Sequence, residues 1–306
     1  MNTTELTLLE GAVPDVLQSE IDASANFVFR TPAMPGALEA RYVRRSEDYY
    51  VVYLSTQTGC AQACRFCHLT QQGQTIAVDA SISDLLKQAE TVCRYYEVTS
   101  GNASIVHFNF MARGEPLASR TILTQGDEVC LQLNRLARSK HLIPRVKVST
   151  IMPRTLEGVE LIDIFPTTQP DFYYSIYSVS EQFRGRWLPR ALPVAAALEK
   201  LVKYQRCSRK IPIMHFALIE GQNDSESDIR ALCATIGESH LRCDFNLVRY
   251  NPATVSLGTA SSEAVAARTA DIIKRELSGS NVKIVKPVGF DVKASCGMFV
   301  KRLPDA

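Results

Sequence analysis

No apolar run among the 306 residues approaches the roughly 20 that a bilayer-crossing helix needs, and the composition argues against a membrane role. No Lys or Arg precedes Arg30, whereas Glu5, Glu10, Asp15, Glu20 and Asp22 all fall in that stretch. This removes the basic start of a secretory signal and the Arg-rich face of a transit peptide, so the expected location is the cytoplasm. A dominant charge is missing too: 34 basic and 32 acidic residues leave a net +2. Phosphate contacts need clustered basic surface, so this balance does not mark an obligate nucleic-acid binder and leaves the partner open. There is one tryptophan, and no internal repeat or low-complexity tract stands out.

Cysteine, by contrast, is well represented. Nine cysteines in a long chain are an odd number, and three lie within eight residues. Metal ligation in a reducing compartment accounts for them better than a disulfide framework. At 46% apolar and 22% charged residues, the chain is globular and long enough for one large or two ordinary domains.

From about residue 48, short β-rich runs alternate with amphipathic helical stretches, which implies a parallel sheet. The expected strands are Tyr49–Ser55, Ile105–Phe110, Arg145–Thr150, Phe172–Ser178, Ile213–Leu218, Asp244–Val248 and Val282–Val285. The run Ser83–Tyr96 places Leu85, Leu86, Ala89, Val92, Cys93 and Tyr96 on one stripe behind Ser83 as N-cap. Similar stripes put Cys130 and Cys233 in the core, and Cys243 in a buried strand, while Cys207 is uninformative. Six or seven β/α units suggest a full or partial barrel, with a doubly wound sheet as the competitor. Residues 1–47 form a short N-terminal appendage with one helical candidate around Val13–Ile21, and residues 48–306 the β/α core and its C-terminal catalytic loop. In either fold the unusual segments, including Gln57–Cys67, Arg113–Pro116 and Val179–Arg190, collect at the C-terminal ends of the strands.

Cys60, Cys64 and Cys67 supply three thiolates from one loop after the first strand of this core. Three ligands suit a 4Fe-4S cluster with one iron left open, whereas structural zinc wants a fourth protein ligand, and His68 is too close in sequence to Cys67 to share one readily. With Phe66 before the last cysteine, the loop resembles the CxxxCxxC signature of radical S-adenosylmethionine (SAM) enzymes. That resemblance implies a radical-SAM partial or near-complete (β/α) barrel in which Gly114, Glu115 and Pro116 hold the amino group of SAM.

The resemblance extends over residues 48–300 to the RlmN/Cfr group of radical-SAM RNA adenosine methyltransferases. It is carried by Ser55–Cys60 with Thr70–Gly73, Gly114–Leu117, Val148–Thr150, Ser175–Tyr177 with Arg184, Gly221–Asp224, Asn246–Pro252 and the loop Asp291–Gly297. It implies that Cys296 is a methyl carrier: one SAM methylates its thiol, and a second yields the radical that activates the new methyl group for addition to an adenine carbon. It also implies that Ser149, Ser175, Tyr177 and Asn223 contact SAM, and that a donor such as flavodoxin or ferredoxin supplies electrons.

Three departures stand out against that pattern. Tyr53 occupies the position of the group's second, resolving cysteine, so Tyr53 becomes a candidate proton-transfer residue and the outcome of the reaction a point of difference. Tyr177 stands where the group commonly has His. About 45 residues occupy the place of a longer accessory domain that contacts RNA. Arg184, Arg186, Trp187 and Arg190 combine guanidinium groups with the lone indole and are candidate contacts to an RNA or other nucleic-acid substrate, the alternative being a solvated loop with Trp187 packed on the barrel rim. Two alternatives stay open: a radical-SAM enzyme of the same lineage with altered chemistry or substrate, and a non-catalytic iron–sulfur binding or interaction protein.

Overall fold

The computed structural model describes residues 7–30, 35–99, 101–295 and 297–301. Among them, ten strands form one sheet whose order follows the sequence, β1 to β10. The core strands fall where the sequence puts them: β4 (Tyr49–Tyr53), β5 (Ile105–Phe110), β6 (Ile143–Thr150), β7 (Asp171–Tyr174), β8 (Ile213–Ala217), β9 (Asp244–Val248) and β10 (Val282–Val285). Each pairs in parallel with the next. A doubly wound sheet reverses its strand order at a switch point. This order never reverses, which makes the core a barrel-type (β/α) arrangement.

The helices are α1 (His68–Gln71), α2 (Ile82–Thr99), α3 (Arg120–Ser139), α4 (Leu161–Ile164), α5 (Glu181–Trp187), α6 (Val194–Ser208), α7 (Glu226–Glu238) and α8 (Glu263–Glu276). Helix α2 starts two residues earlier than a cap at Ser83 implies. Its cap is Ser81 rather than Ser83: the Ser81 Oγ accepts from Asp84 N at 3.1 Å, and the Asp84 carboxylate accepts from Ser81 N at 2.9 Å.

The helical candidate around Val13–Ile21 is instead a strand. β1 (Asp15–Gln18) pairs antiparallel with β2 (Ala25–Arg30), which pairs with β3 (Ala37–Arg44), and β3 with β4. Val13 and Ile21 are exposed, so the helical stripe has no surface to bury against, whereas the edge of β2 offers backbone partners.

Strand alternation sorts the core side chains onto two faces. Val106, Phe108, Val146, Val148, Phe172, Tyr174, Met214, Phe216, Phe245 and Leu247 are buried in the main apolar core. Their neighbours His107, Asn109, Lys147, Tyr173, His215 and Asn246 line a cavity of about 590 Å³. Strands β4 to β10 all contribute to it, so the sheet is curled around a lumen. The segment after β10 returns to the start of the core: Val292 and Ala294 pack with Val43 of β3 and Val51 of β4.

A buried ion triad fixes this return. Glu39 of β3 is fully buried, and its carboxylate accepts from Arg41 at 2.9 Å and from Arg113 at 2.8 Å. Asn26 Nδ2 and Val300 N complete its shell at 3.0 and 3.1 Å. Burial raises the pKa of this carboxyl, but the two guanidinium groups outweigh that effect and hold it below its ordinary value. Arg41 then donates to the Met298 and Ser295 carbonyls at 2.6 and 3.4 Å, and Arg113 to those of Val300 and Thr58 at 2.9 and 3.3 Å. The Phe299 ring lies against both, 4.8 Å from the Arg41 guanidinium and 5.9 Å from that of Arg113. Removing Glu39 leaves two buried cations uncompensated. Glu39→Ala is therefore expected to cost ~3–5 kcal/mol of unfolding free energy in denaturant titration. Asp15→Ala, which breaks the solvent-exposed Arg30–Asp15 pair, is expected to cost under ~1 kcal/mol.

Candidate active site

The loop following β4 carries the three cysteines and is tied down on every side. Cys60 N donates to Gln74 O at 3.1 Å, Cys67 N to Cys64 O at 3.0 Å, and Arg65 N to Trp187 O at 3.0 Å. Phe66 stacks on Tyr177, with ring centroids 4.4 Å apart and planes 19° apart. His68, the alternative fourth ligand, turns its Nε2 to the Asn251 carbonyl at 3.2 Å. Cys64 is buried, and Cys60 and Cys67 are half-buried.

Burial, reinforced by the neighbouring thiols, pushes Cys60 up to about 12 and Cys64 well above its ordinary value. Cys67 is also raised by burial, with the backbone N–H groups of Leu69 and Thr70 opposing the shift. Such thiols become thiolates when a cation replaces their protons. Among the described residues, no three His, Cys, Asp or Glu side chains converge on a point where one metal ion would sit. A cluster needs no such convergence, because each thiolate binds a different iron, and the donor set fits a three-point iron–sulfur ligation.

Beside this loop, the turn after β5 carries Arg113, Gly114 and Glu115. Gly114 has φ +90°, and a Cβ there would stand 2.8 Å from Gln57 N, so only glycine brings the turn this close. Glu115 is buried; its carboxylate accepts from Leu117 N at 3.1 Å and Ile151 N at 3.0 Å, and Pro116 starts a 3-10 turn behind it. Burial raises its pKa to about 7, against the opposing hydrogen bonds of Thr150, Ile151 and Leu117. At the end of β6 the Ser149 Oγ is buried without a hydrogen-bond partner among the described residues. A buried carboxylate and an orphaned hydroxyl fit a ligand that brings an ammonium group and a carboxylate.

No family model matches the chain. A probable RNA methyltransferase of Rhodopirellula baltica is 27% identical, over 94% of this chain and 72% of that protein. A dual-specificity RNA methyltransferase RlmN of Parvibaculum lavamentivorans is 25% identical, over 92% of this chain and 70% of its own length. The chain is thus similar, over most of its length, to proteins named as RNA methyltransferases. A radical SAM methyltransferase from Sphaerobacter thermophilus shares the fold, with a TM-score of 0.78 at 21% identity, covering 96% of this chain and 81% of that one.

The remaining positions singled out by the RlmN-type resemblance are distributed unevenly. Tyr53 ends β4 opposite Asn109 and lines the lumen. Ser175 N donates to the Thr150 carbonyl at 2.8 Å. Tyr177 takes a left-handed φ of 54°. Asn223 braces it, donating to the Tyr177 and Ala217 carbonyls at 2.9 and 3.0 Å and accepting from Ile219 N at 2.7 Å. Cys296 lies outside the described residues, but Gly297 O accepts from His68 N at 3.3 Å.

The candidate substrate contacts separate into two pairs. Arg186 and Arg190 are exposed. Arg184 is buried and donates to the Ile176 and Leu192 carbonyls at 2.9 and 2.8 Å, which commits its guanidinium to holding the loop. Trp187 is 2% exposed, stacked on Phe183 at 5.6 Å with Arg65 over its ring, and is a core side chain rather than an open stacking platform. Sequence reasoning passed over Glu39 and Arg41 as a pair; charges inside the otherwise apolar strand β3 were the available signal.

The raised Glu115 pKa sets a pH dependence. Below about pH 4.5 both folded and unfolded chains hold this proton; between 4.5 and about 7 only the folded state does. Stability contributed by this group is thus lost as pH rises, by roughly 3 kcal/mol by pH 8. In denaturant titrations, wild type is expected to lose that much relative to Glu115→Gln between pH 4 and 8. Parallel profiles would refute the assignment.

Proposed function

We propose that the chain is a radical-SAM methyltransferase that modifies an adenine in RNA through a methylated Cys296. The hydrogen bond from His68 N to Gly297 O carries this reading: the residue after Cys67 is bonded to the residue after Cys296, so the two reactive segments are held side by side. A 4Fe-4S cluster on Cys60, Cys64 and Cys67, when bound, supplies the electron that cleaves SAM to a 5′-deoxyadenosyl radical. Glu115 receives the ammonium group of SAM, and Ser149 supplies a hydroxyl beside it. The Phe66–Tyr177 stack covers one flank of the ligand loop. Arg41 grips the carbonyls of Ser295 and Met298, on either side of position 296, and Arg113 that of Val300. Arg186 and Arg190 are left at the surface for phosphate contacts, and a small electron carrier such as flavodoxin or ferredoxin completes the set of partners.

Tyr53 gives the reaction a different ending from that of a chain with a resolving cysteine. A phenol exchanges protons but forms no disulfide, so Tyr53 moves the adenine proton, while breaking the S–CH2 bond to the carrier sulfur takes an added small-molecule thiol that captures that sulfur as a mixed disulfide and leaves the bonding pair, with a proton, on the new methyl group. No described helix is long and apolar enough to cross a membrane.

Incubation of reconstituted protein with methyl-labelled SAM is expected to place label on Cys296 by peptide mass spectrometry, and Cys296→Ala to abolish it. Label absent from that peptide would end the carrier reading. Tyr53→Cys is expected to increase the yield of released methylated product; unchanged turnover and product would remove Tyr53 as a determinant.

A further inference from the structure

Release of the covalent product needs a thiol, and the described cysteines do not bring one to the lumen. Cys60, Cys64 and Cys67 stand on the ligand loop, Cys93, Cys130, Cys233 and Cys243 are packed in the main apolar core, and Cys207 is exposed on α6. None of them lines the cavity of about 590 Å³, and the side chain at the resolving position is the Tyr53 phenol. That cavity reaches Ala294 and Ser295, the residues just before the carrier position. Its volume is within the usual range for small-molecule sites. A thiol that attacks Cys296 from this space therefore comes from outside the chain.

The barrel gives such a molecule an entrance of its own. The sheet ends at β10, which pairs with β9 and not with β4. A side-chain hydrogen bond crosses that seam, from Arg45 Nη1 to the Lys286 carbonyl at 2.7 Å. Arg45, Lys283 and Lys286 are exposed and also line the cavity, so it meets solvent between them. This opening is in the flank of the barrel, whereas the cysteine loop and the Glu115 turn follow the C-terminal ends of β4 and β5.

The charge of the space selects among thiols. Four cationic side chains, Arg45, Lys147, Lys283 and Lys286, line it against one carboxylate, Asp244. Asp244 already accepts from Asn281 N at 2.8 Å and Asn281 Nδ2 at 3.2 Å. Lys147 forms no ion pair among the described residues; its ammonium lies 5.2 Å from the centroid of the Tyr173 ring. Burial lowers its pKa to about 8, Asp171 opposes the shift, and the charges of Lys283 and Arg145 add to it. A carboxylate between Lys147 and Lys283 relieves both desolvation and repulsion. Burial also holds His107 and His215 low, at about 3 and 4, so both are neutral near pH 7 and leave the positive field unchanged. Thiols derived from cysteine carry carboxylates at that pH, and simple alkyl thiols carry none.

We propose that the lumen binds a small carboxylate-bearing thiol, a cysteine derivative held by Lys147 and Lys283, that resolves the adduct on Cys296. This rests on the methyl-transfer reading of Cys296. Once the adenine proton has left, the sulfur of the bound thiol attacks the Cys296 sulfur; an S–S bond forms and the S–CH2 bond breaks. The bonding pair stays on the methylene carbon, which takes up the proton given by the thiol and becomes the methyl group. That carbon is reduced by two electrons, and the two sulfurs together are oxidised by two. A second equivalent of thiol then attacks the mixed disulfide, frees the Cys296 thiol and departs as the small-molecule disulfide.

Two measurements on the reconstituted protein test the site without turnover. In isothermal titration, S-methylglutathione is expected to bind about tenfold more tightly than its diethyl ester. Lys147→Met with Lys283→Met is expected to bring that ratio below about threefold, and Lys147→Arg to retain it. With oxidised glutathione, peptide mass spectrometry is expected to find the mixed disulfide on Cys296 forming about tenfold faster than on the exposed Cys207, and the double substitution to remove that advantage without slowing Cys207. Equal affinity for acid and ester overturns the proposal. So does a preference, or a Cys296 rate, that survives in a doubly substituted protein with an unchanged circular-dichroism spectrum and melting point. Methyl labelling of Cys296 is scored separately. Acid preference without label overturns the carrier reading, and the resolving role with it, but keeps the anionic-thiol site; label without acid preference overturns the site alone. Where label is present, release of methylated product by protein freed of all added thiol overturns the resolving role.

Discussion

The carboxylate of Glu39, buried between two guanidinium groups, is the constraint on which the reactive end of this fold depends. Its partners come from separate stretches of chain: Arg41 from the same strand, Arg113 from the turn after β5, and Val300 from the terminal segment. Each arginine then uses its remaining donors on backbone carbonyls of other loops. A charge that is expensive to bury is tolerated here because its carboxylate oxygens are answered by Arg41, Arg113, Asn26 and Val300, and the geometry that answers them is narrow. The turn bearing Glu115, the cysteine loop at Thr58 and the segment around position 296 are thereby referred to one point. A purely apolar contact would exclude water equally well without fixing the relative orientation of three loops.

The barrel places chemistry through the two faces of its strands. One face of β5 to β9 packs beneath the helices with the apolar residues that build stability. The other carries Asn, His, Lys and Tyr into the lumen. Adjacent residues in one strand therefore serve different ends, and the functional side chains stand on rigid, fully paired backbone. Tyr53 illustrates the effect. A phenol at the end of β4 occupies the space above Asn109 and next to the returning C-terminal segment, so a single position shapes both the cavity and the chemistry available at its upper end.

Much of this was legible in the sequence because its signals were local. The core strands were bounded to within a few residues by their β-branched and aromatic content, and Cys93, Cys130, Cys233 and Cys243 proved buried as their stripes implied. The misreading of Val13–Ile21 arose because a short amphipathic run has no period long enough to separate helix from strand; the deciding factor was the edge of β2, which no local pattern records. Arg184 and Trp187 were read, with Arg186 and Arg190, as candidate contacts to a nucleic-acid substrate. Only the fold reveals that the carbonyls of Ile176 and Leu192 claim the guanidinium and that Phe183 and Arg65 enclose the indole. The lumen was illegible for a related reason: its polar row is scattered over seven strands, and it becomes a surface only when the sheet curls.

The pairing of Val300 with Glu39 and Arg113 has a consequence for the order of events during synthesis. A ribosome releases β3 and the cysteine loop long before residue 300, and most of the barrel can assemble behind them. Until residues 295–300 emerge, however, Arg41 lacks the Ser295 and Met298 carbonyls and Arg113 that of Val300, and the reactive loops stand unclasped. Clasping the site is thus a late event in synthesis, because it joins residues 261 positions apart in the chain.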